Sequence, residues 1–481
     1  MQNEESLDLR NLDRHLEEAL DIIRGYMKGI REDPVIPTVT RGELLAKLGD
    51  GLPFEETDIG ALFEEIRHTV APSCSKIGHP RFLAWIVTGP SPAGTIGELL
   101  NVGLNQVPLS FKGGPVATVM EEIVIRWFGR LFGYGSTSGG ILVSGGTMAN
   151  LTALAAAREA RFPSAMRRGI QRLSHPLVMY VSDQGHMSVE RSAGMLGIGS
   201  DFVRRVETDE CYRMRVDSLQ RLIDGDESNG FQPFCVVAQA GAVNTGSIDP
   251  IPQIAEVCES RGLWLHVDAS YGGAAILTGE GHSLLGGISR ADSIATDPHK
   301  WFFIPVEAGC VLVKNRAHLF DAFKCKAGYL GEETSSDFMN YGFQLTRASR
   351  ALKIWFGLKA YGLKKISRIV ERNITLARDF KRMLEEKPGW EVCAPVELSI
   401  VCFRYVPEPR PDETKLNSLQ YEILSTLETS GQAFLTPAIL DRRVCLRVCF
   451  ANHRTDSTDV SLLIDLLTSI AERISSTVHP R

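Results

Sequence analysis

None of the ten cysteines stands in a CxxC pair or in a Cys/His cluster with zinc-ligand spacing. Neither a zinc module nor a dithiol redox site is therefore expected, and Cys445 and Cys449, four apart on a strand-like run, read as packing residues. Long basic runs are also lacking. With a formal net charge of -6, neither nucleic acid nor an anionic membrane is expected as the main partner. No segment has the uninterrupted apolar length needed to span a bilayer, and the opening MQNEESLDLR lacks the basic and then apolar pattern of a signal peptide. Internal repeats and low-complexity tracts are missing too. A small-molecule partner and a reducing cytoplasm are the expectations that remain.

What is present is enough chain for two or three domains, since 481 residues exceed one compact core. Helical spacing predicts helices over Leu12–Ile30, Arg41–Leu48 and Ile59–Val70, three elements with little core of their own, for which a partner subunit is expected. After the turn-rich Gly78–Gly94, helices are expected over Ile96–Val107 and Val116–Phe132. Short apolar runs at Ile141–Val143, Val178–Ser182, Phe234–Gln239, Ser293–Thr296 and Gly309–Val313 alternate with helical segments. That pattern predicts a mostly parallel, doubly covered α/β sheet. Arg347–Arg382 reads as a bridging helix, followed by a smaller domain with strands near Trp390–Val392, Leu398–Tyr405 and Val444–Phe450 and a last helix at Val460–Ser475.

The chemistry gathers in Leu263–Trp301. An apolar strand ends on Asp268, and a second short strand ends in Asp297-Pro298-His299-Lys300-Trp301. In open α/β sheets such carboxyl ends border the binding crevice. Taken singly, an Asp at a strand end is often a helix cap and a Lys before a Trp is often a surface residue. Together they suit pyridoxal phosphate, with Lys300 forming an imine and Asp268 keeping the ring nitrogen protonated. Gly146 and Thr147, at a strand-to-helix turn, could hold a phosphate on free backbone N–H groups. His186 follows the strand Val178–Ser182, where a hydrogen-bonded loop histidine is the commoner role. Lys324–Gly342 is polar and aperiodic, either a lid or a surface loop.

SGGTMANL, SDQGHMSVE, AVNTGSIDP, HVDASYGG and DPHKW, in this order and spacing, resemble the group II pyridoxal-phosphate-dependent amino-acid decarboxylases, in the aromatic-L-amino-acid decarboxylase branch. The resemblance runs from about Leu16 to the C-terminal helix. It implies the type I fold of pyridoxal-phosphate enzymes, like aspartate aminotransferase, and an obligate homodimer with active sites at the subunit interface. It also implies a helical segment over residues 1–85 packed on the partner, a large cofactor-binding domain over 86–360 and a small domain over 361–481. Carried over by motif, Lys300 would be the Schiff-base lysine and Asp268 the partner of the pyridine nitrogen. His186 would stack on the ring and help orient the substrate carboxylate, and Gly146, Thr147, His299 and Ser270 would complete the cofactor site. Tyr329, in the lid, would protonate the substrate α-carbon, and Arg447 falls near the active site.

Some positions depart from the animal relatives of this family. Asp297 replaces an asparagine at the phosphate, so it is expected to bond backbone or to be screened. Val243 stands for a threonine near the ring hydroxyl. The expected substrate wall, Ile77, Trp85, Ile86, Val87 and Thr88, with Val107 and Leu109 from the neighbouring subunit, is apolar and uncharged. A hydrophobic amino acid is therefore expected, aromatic if Trp85 stacks on it and aliphatic if Trp85 shortens the pocket. Retention of both Tyr329 and His186 implies amine formation. The alternatives are an aldehyde synthase or another carbon–carbon lyase on the same scaffold, and a non-catalytic dimer.

Overall fold

The computed structural model describes residues 7, 9–163, 165–324 and 337–478. Its centre is a seven-stranded sheet of β1 (Gly139–Val143), β2 (Leu177–Ser182), β3 (Val203–Val206), β4 (Gln232–Gln239), β5 (Trp264–Asp268), β6 (Ser293–Thr296) and β7 (Gly309–Val313). The order is β1-β7-β6-β5-β4-β2-β3, and every pairing is parallel except the two made by β7. The interior strands are buried throughout because helices cover both faces, as parallel sheets require. The short apolar runs thus become strands, as expected. β3 escapes a sequence reading: it is an edge strand of four residues whose middle pair, Arg204 and Arg205, is charged.

A second sheet of four antiparallel strands follows: β8 (Trp390–Val392), β9 (Ile400–Tyr405), β10 (Thr436–Leu440) and β11 (Arg443–Cys449), in the order β10-β11-β9-β8. β10 was not expected because Pro437 interrupts it, which an edge strand tolerates. The bridging helix runs from Ala351 to Glu385 rather than from Arg347, and it breaks at Gly362, whose φ of 68° lies in the left-handed region.

The helices Leu12–Lys28, Arg41–Leu48 and Ile59–Glu65 bury none of their residues in this chain. The connecting segments do find partners, on the small sheet. Val35 N–H donates to the Gly431 carbonyl, Phe82 forms a parallel bridge with Phe434, and these residues share a small apolar cluster.

Candidate active site

Parallel pairing brings several strand ends to one edge. Gln239 on β4 faces Asp268 on β5, which faces Ala295 on β6, two residues before Asp297. β7 runs the other way, so Ala308 and Gly309 enter the sheet at that edge. There a cleft of about 840 Å³ opens, lined among others by Lys300, Asp268, His186, Gly146, Thr147, Ser270 and His299. Trp85, Ile86, Val87 and Arg447 line the same cleft. Residues spread over more than 350 positions of sequence thus meet in one place.

Not every expected residue lies there. Thr88 is buried behind the cleft, its hydroxyl donating to the carbonyls of Lys300 (2.7 Å) and His299 (3.1 Å), so it supports the lysine's backbone and does not form pocket wall. Ile77 packs beside the Phe82 cluster instead, while Val107 and Leu109, expected from a neighbouring subunit, do not line the cleft of their own chain. Tyr329 lies outside the described residues.

Asp268 is buried, yet its carboxylate is well supplied with donors. Oδ2 accepts from Asn150 Nδ2 at 2.8 Å and Oδ1 from the Ser270 N–H at 3.0 Å. Burial pushes its pKa up, but the bonds from Ser270 and Asn150, with the charge of Lys300, outweigh that and leave it below the ordinary carboxylate value. For His186 and His299 burial dominates and holds both imidazoles below their ordinary value.

The turn after β1 is tightly packed. A Cβ on Gly146 would stand 2.6 Å from Ser270 Oγ and 2.9 Å from Asp297 Oδ2, so any larger residue would push those two side chains out of place. Gly309 meets the turn from the other side, where a Cβ would reach 2.6 Å from Gly145 Cα. The helix Gly146–Arg161 begins here and presents its first N–H groups to the cleft. Three buried polar atoms of the lining, Ser270 Oγ, Asp297 Oδ1 and Gln239 Nε2, have no partner among the described residues.

Arg447 is held by its neighbours. Nε donates to the Asn244 carbonyl at 3.2 Å and Nη1 to the Trp85 carbonyl at 3.0 Å, while the buried Nη2 has no partner among the described residues. Trp85 takes a left-handed φ of 50°, packs edge-on against Phe434 and is about half exposed, 55%, at the cleft wall. Sequence reasoning missed Asn150, although it lies in the SGGTMANL motif. It also missed Gln239, which only strand pairing places beside Asp268.

The chain matches the family model described as the pyridoxal-dependent decarboxylase conserved domain over residues 42–406. It is 33% identical over 463 residues to an aromatic-L-amino-acid decarboxylase of Bacillus atrophaeus, covering 95% of both chains. It is 29% identical to a phenylacetaldehyde synthase of Arabidopsis thaliana, with 92% of each chain covered. The crystal structure of mouse CSAD superposes with a TM-score of 0.91 at 28% identity, covering 96% of this chain and 98% of that one. Motif order, a shared cleft and similarity along nearly the whole length agree: the chain belongs to the pyridoxal-dependent decarboxylase family and is a pyridoxal-phosphate-dependent carboxy-lyase of type I fold.

Proposed function

We propose that this enzyme decarboxylates an L-amino acid with a hydrophobic, aromatic side chain to the amine and carbon dioxide, as a cytoplasmic homodimer. The observation that carries the reading is the convergence of Lys300, the donor-supplied Asp268 carboxylate, His186 and Arg447 on one cleft.

The chain's own residues fit the cofactor. Lys300 would hold it through Nζ, Asp268 would take its ring nitrogen and His186 its face. The Gly145–Thr147 turn, with the orphaned Ser270 Oγ and with His299, suits its phosphate. When bound, the cofactor supplies an electron sink for the pair left as carbon dioxide departs. An ionised Asp268 keeps the ring nitrogen protonated. Arg447, fixed by two backbone carbonyls, has Nη2 left for the substrate carboxylate, and fixing that group decides which α-carbon bond is held for cleavage. Tyr329 remains the proposed proton donor to the α-carbon.

Trp85, Ile86, Val87, Val243 and Pro437 make the lining apolar, and Glu307 is already paired with Arg350. A charged substrate side chain unpaired against that wall would cost roughly several kcal/mol. The relative named for aromatic amino acids supports the aromatic choice. The coreless N-terminal helices, with Leu12, Leu16 and Leu20 exposed, support a second subunit.

The similarity to a phenylacetaldehyde synthase favours a second reading, aldehyde formation on the same scaffold. Product identity separates the two. Purified protein with pyridoxal phosphate is incubated with aromatic and aliphatic L-amino acids. Aromatic amines and carbon dioxide are expected, and Tyr329→Phe in air-saturated buffer is expected to divert product toward aldehyde, ammonia and hydrogen peroxide, with dissolved dioxygen as the oxidant. Aldehyde from the wild-type protein would reject the amine reading, and turnover of aliphatic amino acids alone would reject the aromatic one.

A further inference from the structure

Beneath Asp268 lies a continuous chain of buried polar groups whose hydrogens can be placed by elimination. Asn150, His266, Ser188, Ser293 and Trp264 are all at most 3% exposed. The contact from Asn150 Nδ2 to Asp268 Oδ2, 2.8 Å, fixes the amide's orientation, because a carboxylate can only accept. Asn150 Oδ1 then faces His266 Nε2 at 2.9 Å, so that nitrogen must carry a proton. Burial keeps the His266 ring neutral, with a pKa of about 4. Its Nδ1 is therefore a lone pair, which accepts the Ser293 hydroxyl proton at 2.8 Å. Ser293 Oγ in turn accepts from Trp264 Nε1 at 2.8 Å, so no donor meets a donor along this arm.

The second amide hydrogen of Asn150 goes to Ser188 Oγ at 2.8 Å. Ser188 therefore turns its own proton toward His186 Nδ1, 2.8 Å away, and its backbone N–H also points at that nitrogen, at 3.2 Å. With two donors on Nδ1, a neutral His186 carries its proton on Nε2. The polarity of the whole chain thus follows from the charge on one carboxylate, and Asn150 is where its two arms divide.

We propose that Asn150, supported by His266, is a positioning residue that keeps the Asp268 carboxylate ionised and aimed at the cofactor's ring nitrogen and, through Ser188, fixes His186 as the Nε2–H tautomer. The proposal rests on the cofactor placement given above and adds residues to it. An ordinary satisfied core network would share the geometry but not the consequence for the ring nitrogen. The two differ in whether perturbing Asn150 is felt by that nitrogen in particular.

Apoprotein is titrated at neutral pH, by equilibrium dialysis, with pyridoxal phosphate and with its carbocyclic analogue, in which the ring nitrogen is replaced by C–H. Failure of the wild-type protein to prefer pyridoxal phosphate would sink the cofactor placement itself. Asn150→Asp sets a second acid against Asp268, so one of the two must take up a proton. Pyridoxal phosphate affinity is then expected to fall by about ten- to a hundredfold, the scale of one charge-assisted hydrogen bond, and analogue affinity much less. Equal loss for both ligands, or no loss, overturns the proposal. His266→Gln, whose amide can still donate to Asn150 Oδ1, is expected to keep the wild-type preference, and His266→Leu to weaken it. Should Asn150→Asp not fold, this second pair decides, and equal preferences in the two variants overturn the proposal. Nitrogen-15 shifts of labelled His186 are expected to report Nε2–H, and an Nδ1–H tautomer overturns the His186 half.

Discussion

The ammonium of Lys300 stands 3.1 Å from the carboxylate of Asp297, three residues before it in the same turn. Asp297 is buried, and His299 Nε2 lies 3.8 Å from the same oxygen. An acid beside a phosphate site is a puzzle in the sequence. In the fold this one is paired with the lysine of its own motif. Asp297→Asn keeps the shape and removes one negative charge next to the Gly146 turn. The variant is expected to bind pyridoxal phosphate about three- to tenfold more tightly, the scale of one screened charge interaction. Equilibrium dialysis against the apoprotein measures this, and weaker binding would contradict the repulsion on which it rests.

Asp268 bears on turnover in a different way. Its carboxylate faces the cleft and is held by Asn150 and the Ser270 N–H. On the proposed cofactor placement, Asp268→Ala would leave the ring nitrogen without an anion in a buried site. Turnover at saturating cofactor is expected to fall by at least about a hundredfold. Near-normal kcat in steady-state assays would remove this residue from the mechanism.

Asp268 and Lys300 could be found in the sequence because one ends a strand-like run and the other follows a second such run within four residues, and such ends point to one sheet edge. The alternation of β5 also puts His266 on the same face as Asp268, a signal present but unread. Arg447 and Trp85 are another matter. They come from opposite ends of the chain, and their meeting depends on the small sheet packing its β11 against the Phe82–Ile86 segment, which no local pattern encodes. β3 and β10 were missed for an opposite reason: their edge positions tolerate arginines and a proline that an interior strand would not.

The buried histidines set a pH limit on stability. Burial depresses His79, His266 and His453 to about 4. Unfolded, each returns to an ordinary value near 6.5. Between those values the unfolded chain binds these protons and the folded chain does not, so this contribution is lost as pH falls. Asp249 acts in the opposite sense, since burial raises it to about 7 and the folded state binds its proton first. His186 and His299, also depressed by burial, act with these three, and Asp292, raised by burial, acts with Asp249, so the protons taken up on unfolding still outnumber those released. The thermal midpoint is therefore expected to fall steadily as pH is lowered from about 6.5 toward 4. A midpoint that stayed flat or rose across that window, by calorimetry, would contradict the burial assigned to these rings.

The open edge of the main sheet carries the last prediction. β1 is the edge strand, so among the described residues Leu142 has no neighbouring strand to pair its outer N–H and carbonyl. Glu121 Oε1 accepts the N–H at 2.8 Å, and Arg347 Nη1 donates to the carbonyl at 3.1 Å. The two side chains join each other at 2.8 Å while being at most 1% exposed. Together they supply the acceptor and donor that a neighbouring strand would have offered. Arg347 Nη2 also holds the Pro108 carbonyl. Removing one partner leaves the other charged in a site that water does not reach, so Glu121→Leu or Arg347→Met is each expected to destabilise by about 3–5 kcal/mol. Removing both at once leaves no stranded charge but orphans the Leu142 groups, at about 1–3 kcal/mol each. The double variant should therefore cost much less than the sum of the singles. Urea unfolding of the four proteins in a double-mutant cycle measures the difference. Additive losses would show that the pair works as two separate contacts and not as a substitute for a missing strand.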